Sequence, residues 1–504
     1  MVVQAKIWGE IVGELFFKED IRQIFFTYNS EFLKKGLEIS PILMPTDSRE
    51  KIISFPVLNF ETFKDLPPVF SDSLPDKFGN AVLNKYLETS GRSIEDINPL
   101  ERLTYVGIRG MGALEYFPLK NSNHYNEKEL VISDIVEIAK DILSNKENIR
   151  HSSLEDIVHI GTSAGGARPK ALIAKNNITN EYVSGDILHP GKDYSYYLLK
   201  IDGASDAKDS LSNQFGKIEY AYHKLATHCG ISMTKSEILS ENGRDHFLTE
   251  RFDRINGEKL HTQSLNSMAN MDFNNPLIHS YEQCFNTMQK LKLNQNEIDQ
   301  QYLRMVFNVV ARNLDDHTKN ICFLMDKSGK WTLSPAYDIT YAYDPSNRWL
   351  KQHQMSVNNK RNNITFQDLI AVGEKFSVTN PSQIINQVTQ GVSSWVKIAS
   401  DLNISADRIK HVESNLLYKS IIEPKNIKAV IKEGLTSEQK IKKAVEFHLN
   451  NKYDSKMNNI SLQGLAAPLN KALIKNYEFS LTLEELKQVH QLVISQNKTI
   501  GRKI

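Results

Sequence analysis

Eight residues, Asn313-Leu-Asp-Asp-His-Thr-Lys-Asn320, gather two carboxylates, a histidine and two asparagines at the end of an amphipathic run. In that run Leu303, Val306, Phe307 and Val310 recur at i, i+3, i+4 and i+7, one face of a helix. A buried helix therefore stops where a dense polar cluster begins. Ile321 to Met325 then reads as a strand, Asp326-Lys-Ser-Gly329 as a turn and Lys330 to Leu333 as the return strand. Such a hairpin carries Asp338, the last residue of Ser334-Pro-Ala-Tyr-Asp338, back beside Asn320. The fold must therefore supply a helix, a short polar loop, a hairpin and a second acid in that order.

These residue types suit phosphoryl transfer. The reaction needs a carboxylate to orient a hydroxyl and take its proton, and hard oxygen ligands to hold magnesium. Asn320 follows Asp315 by five positions, the Asp-to-Asn spacing of a protein-kinase catalytic loop. Asp315 is thus the candidate base. Asp316, four positions before Asn320, ranks second, and His317 supports the loop. Asp338, followed by Ile339 and Thr340, is placed like the metal-binding Asp of a kinase D-F-G. A helix end running into a solvated loop is the plain structural alternative.

Upstream segments fit the same chemistry. Gly161-Thr-Ser-Ala-Gly-Gly-Ala-Arg-Pro-Lys170 is a flexible loop in which Thr162, Ser163, Gly165, Gly166, Arg168 and Lys170 can cradle phosphates through N–H groups and cations. Tyr196-Tyr-Leu-Leu-Lys200 is an apolar strand with one lysine near its end. A lysine there must find an anion or lose its charge. Glu219, in a helical segment with Tyr222, Leu225 and Ala226, is the expected phosphate-positioning partner. The alternative is a lysine snorkelling at a strand end. Phe247 to Arg254 reads as a strand entering a polar turn, where an adenine ring would meet backbone near Glu250 and stack near Phe252.

Elsewhere, Lys6 to Tyr28 reads as a strand meander with Gly9 and Gly13 near its turns. Leu66 to Gly79 is a Pro-punctuated loop leading into a helix over 80–87. Glycine-rich Gly107 to Tyr116 lacks a phosphate-loop layout and is expected to pack against the next domain. Ile132 to Ile149 reads as one helix, and 364–416 as two or three.

With 504 residues, 40% hydrophobic and 24% charged, the chain has the composition of a globular protein large enough for several domains. A net charge of +1 gives no overall attraction to polyanions. Three scattered cysteines, Cys229, Cys284 and Cys322, suggest neither a zinc site nor a disulfide framework. No apolar run is long enough for a signal peptide or a membrane span, so a cytoplasmic location is expected. From Tyr418 onward, 15 Lys/Arg face 8 Asp/Glu, a local excess of 7 positive charges that is read as a solvated helical face.

Over residues 6–416 the chain resembles the HipA-like serine/threonine kinases, toxin halves of bacterial toxin–antitoxin pairs. The resemblance is carried by Ser71 to Gly79, Arg109 to Glu115, Gly161 to Lys170, Lys200, Glu250 to Arg254, the D-x-H-x-x-N at Asp315, His317 and Asn320, and Ser334 to Asp338. It implies an α/β (α+β) fold, with a small N-terminal α/β domain (1–125) and a two-lobed kinase-like body. The body divides into an N-lobe with the phosphate loop (126–255) and a helical C-lobe (256–416). A basic helical extension (417–504) has no counterpart. The resemblance further implies Asp315 as catalytic base, Asn320 and Asp338 as magnesium ligands, Lys200 on ATP phosphates, and Ser163 as a self-silencing autophosphorylation site. ATP and Mg2+ are the implied cofactors. The implied partners are a protein substrate, with an aminoacyl-tRNA synthetase in the target class, and a helix-turn-helix antitoxin through which any DNA contact is indirect. No membrane association is implied. The competing readings are a nucleotide-binding, antitoxin-binding regulator without transfer and a small-molecule kinase on the same scaffold.

Overall fold

The computed structural model describes residues 1–48, 51–93, 97–120, 130–144, 146, 149, 168–185, 193–202, 214–421, 437–450, 473, 482, 484–489 and 491. The chain forms two compact units, Met1–Ile421 and Ile422–Ile504. Helix and sheet are mixed throughout the first.

That unit opens on the expected meander, β1 (Val2–Ile7), β2 (Glu10–Lys18) and β3 (Gln23–Tyr28), completed by β4 (Leu114–Phe117) in the order β3-β2-β1-β4. Alternate residues Val3, Ala5 and Ile7 are buried, as a sheet with one covered face requires. Gly13 is not at a turn. It lies inside β2, where a Cβ would sit 2.1 Å from the Thr27 carbonyl oxygen and 2.7 Å from the Phe26 ring. Close approach, not turn geometry, is why glycine stands there.

The Pro-punctuated segment is less irregular than its composition suggests. Pro68–Ser71 forms a helical turn, because Pro68 at its first position lacks only an N–H the helix does not use. The following helix runs over Lys77–Thr89 and is capped by Asp76, whose side chain accepts from the Gly79 N–H at 2.6 Å. The Ile132 helix stops at Leu143, shorter than expected.

β5 (Lys170–Asn176), β6 (Tyr182–Ser184), β7 (Tyr194–Lys200), β8 (Ser236–Glu241) and β9 (Arg244–Glu250) form an antiparallel sheet in the order β6-β5-β7-β9-β8. Phe78 and Val82 of one helix and Ile135, Val136 and Ala139 of the other pack with Ala171, Ile173, Leu199 and Leu248 in one core. The N-terminal capping residue Asp76 is thereby brought to this sheet. The Phe215–His228 helix packs against β8 and β9.

After the small hairpin β10 (Arg254–Ile255) and β11 (Glu258–Lys259), the strand β12 (His261–Ser264) pairs with β13 (Cys322–Met325), which pairs with β14 (Trp331–Leu333). The β13–β14 hairpin is the one read from the sequence. Helices Tyr281–Lys290 and Gln295–Val310 each start on a capping box, Ser280 with Gln283 and Asn294 with Glu297. Residues 364–416 hold four helices rather than two or three: Phe366–Lys375, Pro381–Val392, Trp395–Asp401 and Ala406–Glu413. Short breaks at Val378 and Ser393 turn the chain without the long loops that would separate them by eye.

In the second unit, the described residues include a helix at Ser437–Asn450 with Ile441, Ala444 and Val445 buried at i, i+3 and i+4. Leu473, Leu486 and Val489 are also buried.

Candidate active site

Lys200 is the last residue of β7, and its Nζ lies 2.5 Å from Glu219 on the Phe215–His228 helix. It also pairs with Asp338, just beyond the β13–β14 hairpin. Burial works against the lysine's charge, but Asp338 and then Glu219 outweigh it and raise its pKa. Burial likewise opposes the charge of Asp338; Lys200 and Lys170 prevail and hold its carboxyl below the usual range. Asp338 has a φ of +53°, a left-handed backbone that Asp and Asn enter more readily than other side-chain residues.

The β5–β7 register sets Lys170 directly opposite Lys200, so both project from one face of the sheet. Lys170 is buried and lies 3.3 Å from Asp76. Burial lowers the lysine's pKa and raises that of the aspartate, each partly offset by the other. Arg168, the first described residue of the loop, stacks on Phe215 at 4.2 Å from the ring centroid. Thr162, Ser163, Gly165 and Gly166 lie outside the described residues.

The polar cluster after the Gln295–Val310 helix is held from several sides. The Leu314 N–H donates to the Ala342 carbonyl at 3.0 Å, and the Ala342 N–H to Arg312 at 3.1 Å. The two adjacent acids then diverge. Asp315 has a side chain 49% exposed, with His317 Nε2 at 3.9 Å. Asp316 is buried and satisfied: the Tyr281 hydroxyl donates to it at 2.8 Å, the Gln354 N–H at 2.7 Å, and His353 Nδ1 lies at 2.9 Å. Asp316 is thus held inward by three partners, and Asp315 is the more exposed of the two acids. His317 packs its ring against Phe273 at 5.7 Å.

Asn320 closes a 3-10 turn over Thr318–Asn320, and its amide nitrogen donates to the Asp315 carbonyl at 2.8 Å. That bond uses the amide nitrogen and not the amide oxygen. Asn320, Asp338, Asp316 and His317 line one cavity, with Tyr337 between the two segments. The Tyr337 hydroxyl donates to the Lys319 carbonyl at 2.5 Å, tying the residue before Asp338 to the residue before Asn320. Glu250 ends β9, with its N–H donating to Lys235 at 2.8 Å, and the Phe252 ring packs 5.4 Å from that of Tyr337.

Sequence reasoning did not find the cluster beyond Phe252. Asp253 takes both Arg251, at 2.8 Å, and Arg254, at 2.7 Å. It also accepts from the Gly112 N–H at 2.7 Å, while Arg254 donates to the Gly110 and Gly112 carbonyls at 3.1 and 3.0 Å. Burial opposes the Asp253 charge, but the two guanidiniums hold its carboxyl well below the usual range. The glycine-rich segment thus packs on the strand–turn as expected. Gly112 is required there, since a Cβ would meet Thr262 Oγ1 at 2.5 Å.

Two family models match the sequence: the HipA N-terminal domain over residues 3–117 and the HipA-like C-terminal domain over 162–396. The chain belongs to the HipA-like proteins. Among solved structures, this HipA-like chain matches the Shewanella oneidensis MR-1 toxin–antitoxin complex of HipA, HipB and operator DNA. The TM-score is 0.58 at 16% identity, with 82% of this chain and 96% of that chain covered, a likeness of fold. The Helicobacter pylori proinflammatory kinase CtkA matches at a TM-score of 0.29 and 11% identity, over 44% of this chain and 88% of that one, too slight to bear on the argument. None of the curated proteins matches. Residues 397–504 of the HipA-like chain fall outside both family models.

Proposed function

We propose that the chain is an ATP- and magnesium-dependent serine/threonine protein kinase and the toxin of a toxin–antitoxin pair. The observation that carries this reading is Lys200, held between the helix acid Glu219 and the loop acid Asp338. A strand lysine so placed is fixed and charged before any phosphate arrives.

Asn320 and Asp338 offer two hard oxygens on one cavity. Among the described residues no group of three or more His, Cys, Asp or Glu is set to hold a metal ion. Two protein oxygens suit magnesium, which keeps waters and phosphate oxygens in its shell. When bound, magnesium offsets charge on the β- and γ-phosphates. Lys200 and Lys170 would face the phosphates, and the ring would sit by Glu250 and Phe252. The half-exposed Asp315 would orient the acceptor hydroxyl and take its proton as the oxygen bonds to the γ-phosphorus and ADP leaves. Ser163 is the proposed self-acceptor, since about two added negative charges in a phosphate-binding loop would repel ATP.

The family resemblance supports a protein acceptor, with an aminoacyl-tRNA synthetase as the target class, and a cytoplasmic setting. The Shewanella complex, in which a HipA is seen with HipB and operator DNA, supports an antitoxin partner that makes the DNA contact.

The test is intact-mass analysis with phosphopeptide mapping after incubation with ATP and magnesium. The expected result is phosphate on Ser163 in the wild type and none in Asp315→Asn. ATP binding with no phosphate on the wild type or on any supplied protein would overturn the kinase reading in favour of a nucleotide-binding regulator.

A further inference from the structure

Lys170 and Asp76 form a buried pair whose members come from different parts of the chain. Lys170 begins β5, next to the phosphate loop, and Asp76 caps the Lys77–Thr89 helix of the N-terminal region. Their side chains are 2% and 6% exposed. One Asp76 oxygen, Oδ1, is used by the Gly79 N–H; the other, Oδ2, lies 3.3 Å from Lys170 Nζ. The cap thus spends one oxygen on its helix and turns the second toward the lysine.

A lysine buried this deeply keeps its charge only beside an anion. Among the described residues, the carboxylate within ion-pair distance is Asp76. Asp338 also acts on Lys170 electrostatically, but it is bound to Lys200, and Lys200 itself works against the charge. Lys200 has two carboxylates within the same site, so the two lysines are supplied unequally.

We infer that Asp76 is a positioning residue for nucleotide binding, contributed by the N-terminal region, which keeps Lys170 charged and aimed along the sheet face it shares with Lys200. Asp76 touches no phosphate itself; it acts through Lys170. The inference rests on the reading of Lys200, Glu219 and Asp338 as part of a nucleotide site.

The test is calorimetric titration of the full chain with ATP and magnesium, and separately with adenosine. The proteins compared are wild type, Asp76→Asn, Lys170→Met and the double variant. Asparagine is also a good helix cap, so the cap survives in Asp76→Asn; the lysine's lost counter-charge should lower the unfolding midpoint while adenosine affinity stays at the wild-type value. Each single variant should weaken ATP binding about tenfold, the scale of one charge-assisted hydrogen bond. Adenosine binding should not change, and the double variant should bind ATP no more weakly than Lys170→Met alone. Losses that add in the double variant overturn the inference and leave the nucleotide site standing, as does Asp76→Asn affinity at or above wild type. A lowered unfolding midpoint with adenosine affinity also lost reduces Asp76 to a helix cap. A wild type that binds no ATP overturns this inference and the kinase reading together.

Discussion

Lys200 and Asp338 are 138 positions apart in sequence and form an ion pair, with Glu219 on the lysine's other side at 2.5 Å. One cation therefore serves two carboxylates that are largely withdrawn from water. Replacing it with methionine leaves both acids without their counter-charge. Lys200→Met should lose about 3–5 kcal/mol of stability, read as a lower midpoint in urea. Adding Glu219→Gln should restore part of that loss, because one of the two unpaired charges is gone. A Lys200→Met chain as stable as wild type would show that the triad is not a structural support.

Asp316 receives three polar groups, from Tyr281, His353 and Gln354. An amide has one acceptor oxygen, and its nitrogen would face donors. Asp316→Asn should therefore cost about 2–4 kcal/mol and also lower phosphate transfer, although Asp315 is untouched. Equilibrium denaturation beside a transfer assay checks both halves. Full activity with lowered stability would separate the loop's shape from the chemistry.

His261 is buried, and its Nε2–H donates to the Ile39 carbonyl at 2.9 Å. Burial is the main cause that lowers its pKa from 6.5 to about 4. The unfolded chain thus takes up this proton at higher pH than the folded one. Its contribution to stability is whole above 6.5, declines as pH falls below that value, and stops changing near 4. A plot of urea midpoint against pH should fall less steeply for His261→Gln than for wild type across that window. Equal slopes would place the proton uptake on other histidines.

Gly13→Ala puts a methyl 2.1 Å from the Thr27 carbonyl oxygen within a paired strand. Backbone on both sides resists the shift, so a loss of about 1–3 kcal/mol is expected, measured as a drop in midpoint. No loss would mean that β2 and β3 separate easily there.

The helix, polar loop and hairpin around Asn313–Asn320 were legible because each has a local signature: a period of 3.6, a cluster of turn residues, a period of 2. Lys200 was legible for another reason, since an apolar strand makes a single lysine conspicuous. What stayed hidden depends on chain crossings. Asp315 and Asp316 have the same chemistry at adjacent positions, and only the partners Tyr281, His353 and Gln354 make one internal. Asp76 read as part of a Pro-punctuated loop, and nothing near it in sequence points to Lys170. The Arg251–Asp253–Arg254 group looked like a polar turn, because its acceptors are backbone carbonyls at Gly110 and Gly112. Helix breaks as short as that at Ser393 leave too few turn residues to be counted.

That same arginine–aspartate group has a practical meaning for anyone dividing this protein. Arg254 and Asp253 saturate peptide groups of the glycine segment, and Lys259 reaches the Ile108 carbonyl at 2.6 Å and Glu115 at 2.8 Å. A fragment beginning after residue 125 would carry these charges away from the groups that neutralise and solvate them. The glycine segment, cut loose, would expose the carbonyls they served. Fragment expression, domain exchange and fusion designs should therefore treat residues 1–120 as a permanent lining of the strands and turn at 251–259 and not as a removable module.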